Sequence, residues 1–158
     1  YQATISFTSQ NFGAKKKDRI NKILFAGQVY VVATGLILGS LAVFFGKELL
    51  GIYSTSPEVI AAGMVRLQYI CKVYFLCGIM DVFVGALRGI GYSIMPMFVS
   101  LLGACGLRLL WLATVFQIPQ YHTQDIIYLS YPITWVITFT VHALCYIWAR
   151  KQVDKKLV

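Results

Sequence analysis

The sequence predicts an all-α membrane protein, and three observations carry this prediction. Of the 158 residues, 58% are hydrophobic and only 13% are charged, whereas soluble domains average about 25% charged residues. Several apolar runs reach about 18 residues or more, which is long enough for a helix to cross a bilayer. The basic residues lie in short segments between these runs, so the net charge of +8 does not indicate a nucleic-acid-binding protein.

Four complete membrane spans and one partial span are predicted from the apolar runs and the turn-forming residues between them. Their approximate limits are 1–11 for the partial span and 22–45, 57–88, 94–116 and 126–149 for the complete ones. The run 57–88 is predicted to be one continuous helix about 48 Å long, which must project beyond the hydrocarbon layer. Since the first residues already resemble the end of a helix, we expect the chain to be the C-terminal part of a longer protein.

The first complete span carries both small and polar residues. Gly35 and Gly39 form a small-xxx-small pair that lets a neighbouring helix approach closely. Gln28, Tyr30 and Thr34 add polar atoms, which either face a cavity or bond to a neighbouring helix. The segment 46–56 that follows is expected to be a connector.

A helical hairpin with a basic turn is predicted around residue 90. Arg88 supplies a cation where a helix ends, and Gly89 and Gly91 can adopt the left-handed backbone that terminates it. Ser93 is predicted to cap the next helix, and Pro96 falls in its first turn.

Basic residues are distributed unequally between alternate loops, which predicts the orientation of the chain. One set of loops contains ten of them: Lys15, Lys16, Lys17, Arg19, Lys22, Arg88, Arg150, Lys151, Lys155 and Lys156. The other set contains only Lys47. Because basic loops remain on the cytoplasmic side, we expect a multi-pass protein of the cell membrane with a cytoplasmic C-terminus.

Asp81 is the only acid in the interior of any predicted span, since Glu58 lies at the start of the span 57–88, and this makes Asp81 the leading candidate for a functional residue. An unpaired charge in a membrane is costly, so such a residue either carries function or is paired. It is interpreted as a protonatable or cation-binding carboxylate facing the bundle interior; the alternative is a structural acid paired near the helix end. His142, at similar predicted depth, is either its partner or a polar packing residue.

Lys72 and Arg108 are the deepest cations and are expected at similar depth on antiparallel neighbouring helices. Two such charges repel each other unless a carboxylate or an anionic ligand lies between them. Either residue is therefore a candidate charge partner or substrate contact, as are Gln28 and Tyr30. Pro132 is expected to kink the last span.

The sequence contains no signature of catalysis or metal binding. Gly-x-Ser-x-Gly, His-Glu-x-x-His and a phosphate-binding glycine loop are all missing, and the four cysteines form no Cys-x-x-Cys pair. We therefore predict that the protein is not an enzyme and has neither a metal site nor a cofactor.

Two motifs resemble those of multidrug and toxic compound extrusion (MATE) transporters. Residues 9–14, Ser-Gln-Asn-Phe-Gly-Ala, followed by Arg19, are similar to the family's Gly-Gln-Asn-x-Gly-Ala loop, with Ser9 in place of the usual Gly. Leu-Arg-Gly-x-Gly at 87–91, with Pro96 after it, resembles the family's cytoplasmic hinge.

The resemblance implies two six-helix bundles that open alternately to each side of the membrane, with residues 1–158 forming the end of the second bundle. It also implies export of organic cations and drugs in exchange for H⁺ or Na⁺, and packing against the remaining helices of the full-length transporter. Some members carry a coupling acid at the position of Cys77. Asp81 lies one turn later, on nearly the same face.

Two alternatives remain open on sequence grounds. The first is a flippase for lipid-linked or polysaccharide substrates of the same superfamily, which requires a large basic cavity for which Lys72 and Arg108 are the candidates. The second is a truncated membrane remnant that does not transport.

Overall fold

The computed structural model describes residues 1–156 as a bundle that is 87% helical, with no strand in that range. The helices are α1 (Gln2–Gly13), α2 (Lys17–Phe44), α3 (Gly46–Tyr53), α4 (Pro57–Ile70), α5 (Phe75–Gly89), α6 (Ile94–Ser100), α7 (Leu107–Ala113) and α8 (Gln124–Lys156). Shorter 3₁₀ turns occupy Cys71–Val73 and Pro119–Tyr121, and a π-helical turn at Leu101–Gly106 joins α6 to α7.

Within residues 1–156, three helical segments are long and apolar enough to cross a membrane. They are Lys17–Phe44, Ile94–Ala113 and Gln124–Lys156. Counting the bent pair Pro57–Val73 and Phe75–Gly89 as one further span gives up to four. These segments correspond to the four predicted spans, and α1 corresponds to the predicted partial one. Many of their apolar side chains are exposed, as expected for helices in contact with lipid.

The prediction of one continuous helix over 57–88 is wrong. The chain bends by 44° at the 3₁₀ turn Cys71–Val73, which separates α4 from α5. Gly39 of α2 lies so close to this turn that a Cβ atom at Gly39 would overlap the Cys71 carbonyl oxygen, and one at Gly35 would lie 2.8 Å from Phe75 Cβ. The close approach predicted for the small-xxx-small pair is therefore confirmed.

The segment 46–56 is also more regular than expected, because α3 occupies its first eight residues.

In α8 the backbone remains helical on both sides of Pro132.

Helix α5 is the centre of the bundle and packs against α1, α2 and α8. The face directed at these neighbours is apolar and includes Val82, Ala86 and Leu87, each at most 1% exposed. Gly89 provides space for α1, since a Cβ atom there would lie 2.5 Å from Thr8 Cβ. Burial of this face fixes which residues of α5 point away from the bundle.

The hairpin between α5 and α6 is confirmed, with two changes in detail. Gly91 has a φ of 96°, and the amides of Tyr92 and Gly91 donate to the carbonyls of Leu87 and Arg88 at 2.9 and 3.0 Å. This is the Schellman arrangement that ends a helix at a left-handed glycine.

Two residues of this hairpin do not have the predicted roles. Gly89 is still helical and serves close packing instead of the turn. Ser93 has helical backbone angles and makes no side-chain capping bond, so the predicted cap is wrong. Pro96 lies in the first turn of α6, as expected.

The predicted basic loops come together at one end of the bundle. Ile20 at the start of α2, Ile90 in the hairpin, and Ala149 and Val153 near the end of α8 belong to one buried cluster. The ten basic residues predicted on one side are therefore grouped in space, not only in sequence.

Candidate functional site

Asp81 lies on the exposed side of α5, opposite to the expectation that it faces the bundle interior. Its sequence neighbours Met80 and Val82 are 7% and 1% exposed, because they point toward the helices that cover α5. Within residues 1–156 the Asp81 carboxylate forms no ion pair and no side-chain hydrogen bond. The carboxylate is thus exposed and is not neutralised by a neighbour within residues 1–156.

A cavity of about 440 Å³ lies between α2 and the segment that includes the start of α5. Tyr30, Tyr74 and Phe75 contribute aromatic rings to its wall, and Thr34 contributes a hydroxyl group. Gly78, also part of the wall, precedes Asp81 by three residues, a spacing that makes two residues neighbours on a helix surface. The cavity therefore combines aromatic walls with a nearby carboxylate.

Gln28 and Tyr30 both occupy the α2 side of this region. The Gln28 amide donates to the Ile79 carbonyl oxygen at 3.2 Å, while its own side-chain oxygen is buried without a hydrogen-bond partner in residues 1–156. Tyr30 is 74% exposed and also lines a second cavity, of about 400 Å³, between α1 and α2. Two interpretations were left open for these polar residues, a bond to a neighbouring helix or a position facing a cavity. Gln28 bonds to a neighbouring helix, and Tyr30 faces a cavity.

His142 is fully buried and is not paired with Asp81. Its Nε2 atom lies 3.0 Å from Ser100 Oγ on α6. Its Nδ1 atom is buried and has no hydrogen-bond partner in the described part of the chain. Of the two interpretations left open for His142, the structure supports a polar packing residue and not a partner of Asp81, because α8 directs His142 at α6 whereas Asp81 lies on the exposed side of α5.

A polar stripe along α8, which the sequence reasoning missed, continues on both sides of His142. Its members recur at every fourth position, and each is at most 8% exposed. They are Ser130, Thr134, Thr138, His142, Tyr146 and Arg150. Positions four apart share a helix face, so this spacing in the mainly apolar middle of α8 was the signal that could have identified the stripe.

Several hydroxyl groups of the stripe are satisfied within α8 itself. Thr134 Oγ1 donates to the Ser130 carbonyl at 2.8 Å, and Thr138 Oγ1 donates to the Thr134 carbonyl at 2.6 Å. At the middle of the stripe, Thr138 packs against Gly103 of the π-helical turn, where any Cβ atom would overlap the threonine side chain. The stripe thus packs closely against the segment that joins α6 and α7.

Arg108 and Lys72 have different surroundings. Arg108 stacks on the Tyr131 ring of α8, with 3.9 Å between Cζ and the ring centroid, and one of its terminal nitrogens donates to Thr134 Oγ1 at 3.4 Å. Lys72 is exposed at the 3₁₀ turn between α4 and α5. Contacts with α8 thus partly compensate the charge of Arg108, but its buried Nε atom has no hydrogen-bond partner in the described part of the chain.

Of the hinge residues, Arg88 makes a specific contact with the first helical segment. Its guanidinium group hydrogen-bonds the Tyr1 hydroxyl group and lies 5.8 Å from the centroid of the same ring. The contact connects the end of α5 to the residue that precedes α1.

The basic end of the bundle contains a second polar cluster, centred on Arg150. Its Nε, Nη1 and Nη2 atoms donate to Asn21 Oδ1, Asp154 Oδ1 and the Lys17 carbonyl oxygen at 3.2, 3.1 and 3.3 Å. The Tyr146 hydroxyl group donates to the same Asn21 oxygen at 2.9 Å. These bonds join the end of α8 to the beginning of α2.

Comparison with known proteins identifies one related family. The family model described as MatE matches residues 1–114 of this chain. Neither the curated proteins nor the solved structures contain a match. The matched region includes α1 to α7 and hence Asp81, the aromatic cavity and the α5–α6 hairpin.

Proposed function

Because the chain belongs to the MatE family, whose members are membrane transporters, we propose that it serves secondary active export of organic cations. The cations are exchanged for H⁺ or Na⁺ across the cell membrane. In this proposal the cavity between α2 and α5 receives the cation, and Asp81 binds the coupling ion.

The observation that carries the proposal is the combination of an aromatic cavity with an accessible acid. The rings of Tyr30, Tyr74 and Phe75 offer faces that attract a cation through their electron density. Asp81, three residues after Gly78 of the cavity wall, supplies the negative charge of α5. Together these groups match the charge and the apolar surface of a lipophilic organic cation.

Asp81 is suited to ion exchange because no group of the described chain neutralises it. Asp154, in contrast, accepts from Arg150 at 3.1 Å and belongs to a fixed network. Binding of H⁺ or Na⁺ would remove the charge of Asp81, which would change the relative stability of the inward-facing and outward-facing conformations. Release of the ion would restore the charge and favour binding of the next substrate cation.

The arrangement of basic residues supports an orientation for the proposed transporter. All ten lie in the segments that meet at one end of the bundle. Since such segments are retained in the cytoplasm, we place this end and the C-terminus of the chain there. The aromatic cavity, lined by Thr34, Leu38 and Cys71 among others, lies away from this end.

The test is transport by the full-length protein in proteoliposomes, with a labelled organic cation and separately imposed proton and sodium gradients. Asp81→Asn should abolish gradient-driven exchange, while Asp125→Asn, which removes an exposed acid at the start of α8, should transport normally. Tyr30→Ala should raise the substrate concentration for half-maximal transport. Unchanged exchange by Asp81→Asn would remove Asp81 from the mechanism.

A further inference from the structure

The net charge of this protein is concentrated at one end. The segments 15–22 and 150–156, together with Arg88, account for the whole formal charge of +8. The remaining four basic residues and four acidic residues cancel. An excess of this kind at the end of a transmembrane bundle attracts anionic lipid headgroups.

At this end, a groove with a volume of about 470 Å³ separates α2 from α8. Its deeper wall is apolar and consists of Leu24, Phe83, Ala143 and Ile147. Its outer part is polar and cationic and includes Arg150 and Lys151. The groove therefore has the two-part chemistry of a phospholipid, with a charged rim above an apolar channel.

The length of the groove along α8 leaves room for a phospholipid headgroup at the rim and part of an acyl chain below it. Ala143 and Lys151 are eight residues apart on α8, which corresponds to about 12 Å along the helix axis. Helix α2 runs in the opposite direction, so Asn21 lies beside the cationic rim and Leu24 lies one turn deeper. A headgroup at the rim would thus place its acyl chains toward the hydrocarbon layer.

The rim has cationic capacity beyond its internal bonds. Asp154 is the only acid that lines the groove, and Arg150 already pairs with it. The Lys17 ammonium group approaches the same region and donates to the Asp154 carbonyl oxygen at 3.3 Å. Lys151 is exposed and makes no side-chain hydrogen bond or ion pair within residues 1–156, so its ammonium group is available to a ligand.

We propose that the groove between α2 and α8 binds one anionic glycerophospholipid. Its phosphate lies at Lys151, beside the network that engages Arg150, and an acyl chain lies along Leu24, Phe83, Ala143 and Ile147. This site is separate from the α2–α5 cavity and is independent of the transport proposal. It identifies a particular lipid contact, in addition to the general attraction between a basic surface and an anionic membrane.

The experiment uses the full-length protein in phosphatidylcholine vesicles that contain a trace of spin-labelled phosphatidylglycerol or spin-labelled phosphatidylcholine. Electron paramagnetic resonance then measures the motionally restricted fraction of each lipid. Wild-type protein should restrict phosphatidylglycerol preferentially. Lys151→Ala should reduce that preference about fivefold, since one lysine near an anionic headgroup contributes roughly this factor. Lys47→Ala, which removes an exposed lysine on α3, should leave it unchanged.

A second variant distinguishes the groove from the general surface charge. Ala143→Phe fills the apolar part and keeps every charge, so it should abolish the preference; Ala61→Phe, at an exposed position of α4, is its control. Equal preference in Ala143→Phe and wild type would overturn the proposal, as would equal effects of Lys151→Ala and Lys47→Ala. If Ala143→Phe loses its helical circular dichroism signal, the two lysine variants decide.

A final comparison separates a lipid from a soluble phosphate. Glycerol phosphate at millimolar concentration should not displace the labelled phosphatidylglycerol, because it has no acyl chain for the apolar wall. Displacement would show that the rim recognises the headgroup alone and would contradict the proposed lipid site.

Discussion

The hydroxyl oxygen of Ser100 lies 3.0 Å from Nε2 of His142, and this contact connects the end of α6 to the middle of α8. His142 is fully buried, and its second ring nitrogen has no partner in the described part of the chain. The imidazole therefore depends on Ser100 for the hydrogen bond that it makes to another helix.

Ser100→Ala should destabilise the protein, because it leaves both nitrogens of a buried imidazole without a partner. A buried polar group that loses its hydrogen bond costs about 1–3 kcal/mol, and we expect a loss in this range. The measurement is the free energy of unfolding in mixed micelles titrated with a denaturing detergent. Thr140→Ala is the matched control, since this hydroxyl is exposed and bonds within its own helix at 2.7 Å. Equal stability of the two variants would contradict the assigned role of Ser100.

Gly103→Ala should destabilise the contact between the π-helical turn and α8. The added Cβ atom would overlap the Thr138 side chain, and overpacking of this kind costs about 1–3 kcal/mol. Thr138→Ala removes the two atoms nearest to that Cβ atom, so the double variant should be more stable than the sum of the single effects predicts. A double-mutant cycle on unfolding free energies measures this coupling. Simple additivity would show that the two residues are not in contact.

Gly39→Ala should have a larger effect than Gly103→Ala. The atom that its Cβ would overlap is the Cys71 carbonyl oxygen, and a backbone atom cannot move away as a side chain can. We expect a loss of at least about 3 kcal/mol, the upper part of the range for overpacking, measured by the same unfolding titration. Gly51→Ala is the control, because nothing lies within 4 Å of the corresponding position in α3; it should be neutral or slightly stabilising.

Arg150→Ala should separate the end of α8 from the start of α2. The substitution removes donors to Asn21, Asp154 and the Lys17 carbonyl, and a hydrogen bond that involves a charged group contributes about 1.5–3 kcal/mol. We expect a loss of about 2–3 kcal/mol, whereas Lys155→Ala, at an exposed position of the same helix, should have little effect. Arg150→Lys should not restore stability, because one ammonium group cannot reach three acceptors in different directions. Full rescue by lysine would show that only the charge matters.

The sequence predicted the membrane class, the approximate spans and the α5–α6 hairpin, but not the bend at Cys71–Val73. That turn contains neither proline nor glycine, the residues that normally signal a break. The bend instead accompanies close packing against Gly35 and Gly39 of α2. A contact between segments more than 30 residues apart leaves no local signature.

The candidate site was predicted in part. Tyr30 was left with two interpretations, a cavity residue or a residue bonded to a neighbouring helix, and in the structure it lines a cavity. Asp81 was identified by its charge alone, and its role in coupling remains a prediction. The expected orientation of Asp81 was wrong, and that of His142 was left undecided. Residue type and helical depth do not specify which face of a helix is covered. The polar stripe on α8 was detectable from its four-residue spacing, but the polar residues were considered one at a time.

Composition and order along the chain were sufficient to establish that apolar helices alternate with basic turns, since these properties depend on side-chain chemistry and local backbone preferences. Which faces meet, where α4 and α5 separate, and which polar groups find partners depend on contacts between distant residues. Tyr146 and Asn21, for example, are 125 positions apart and share a hydrogen bond of 2.9 Å. Such contacts follow from the simultaneous packing of several helices, and no single helix contains the information that specifies them.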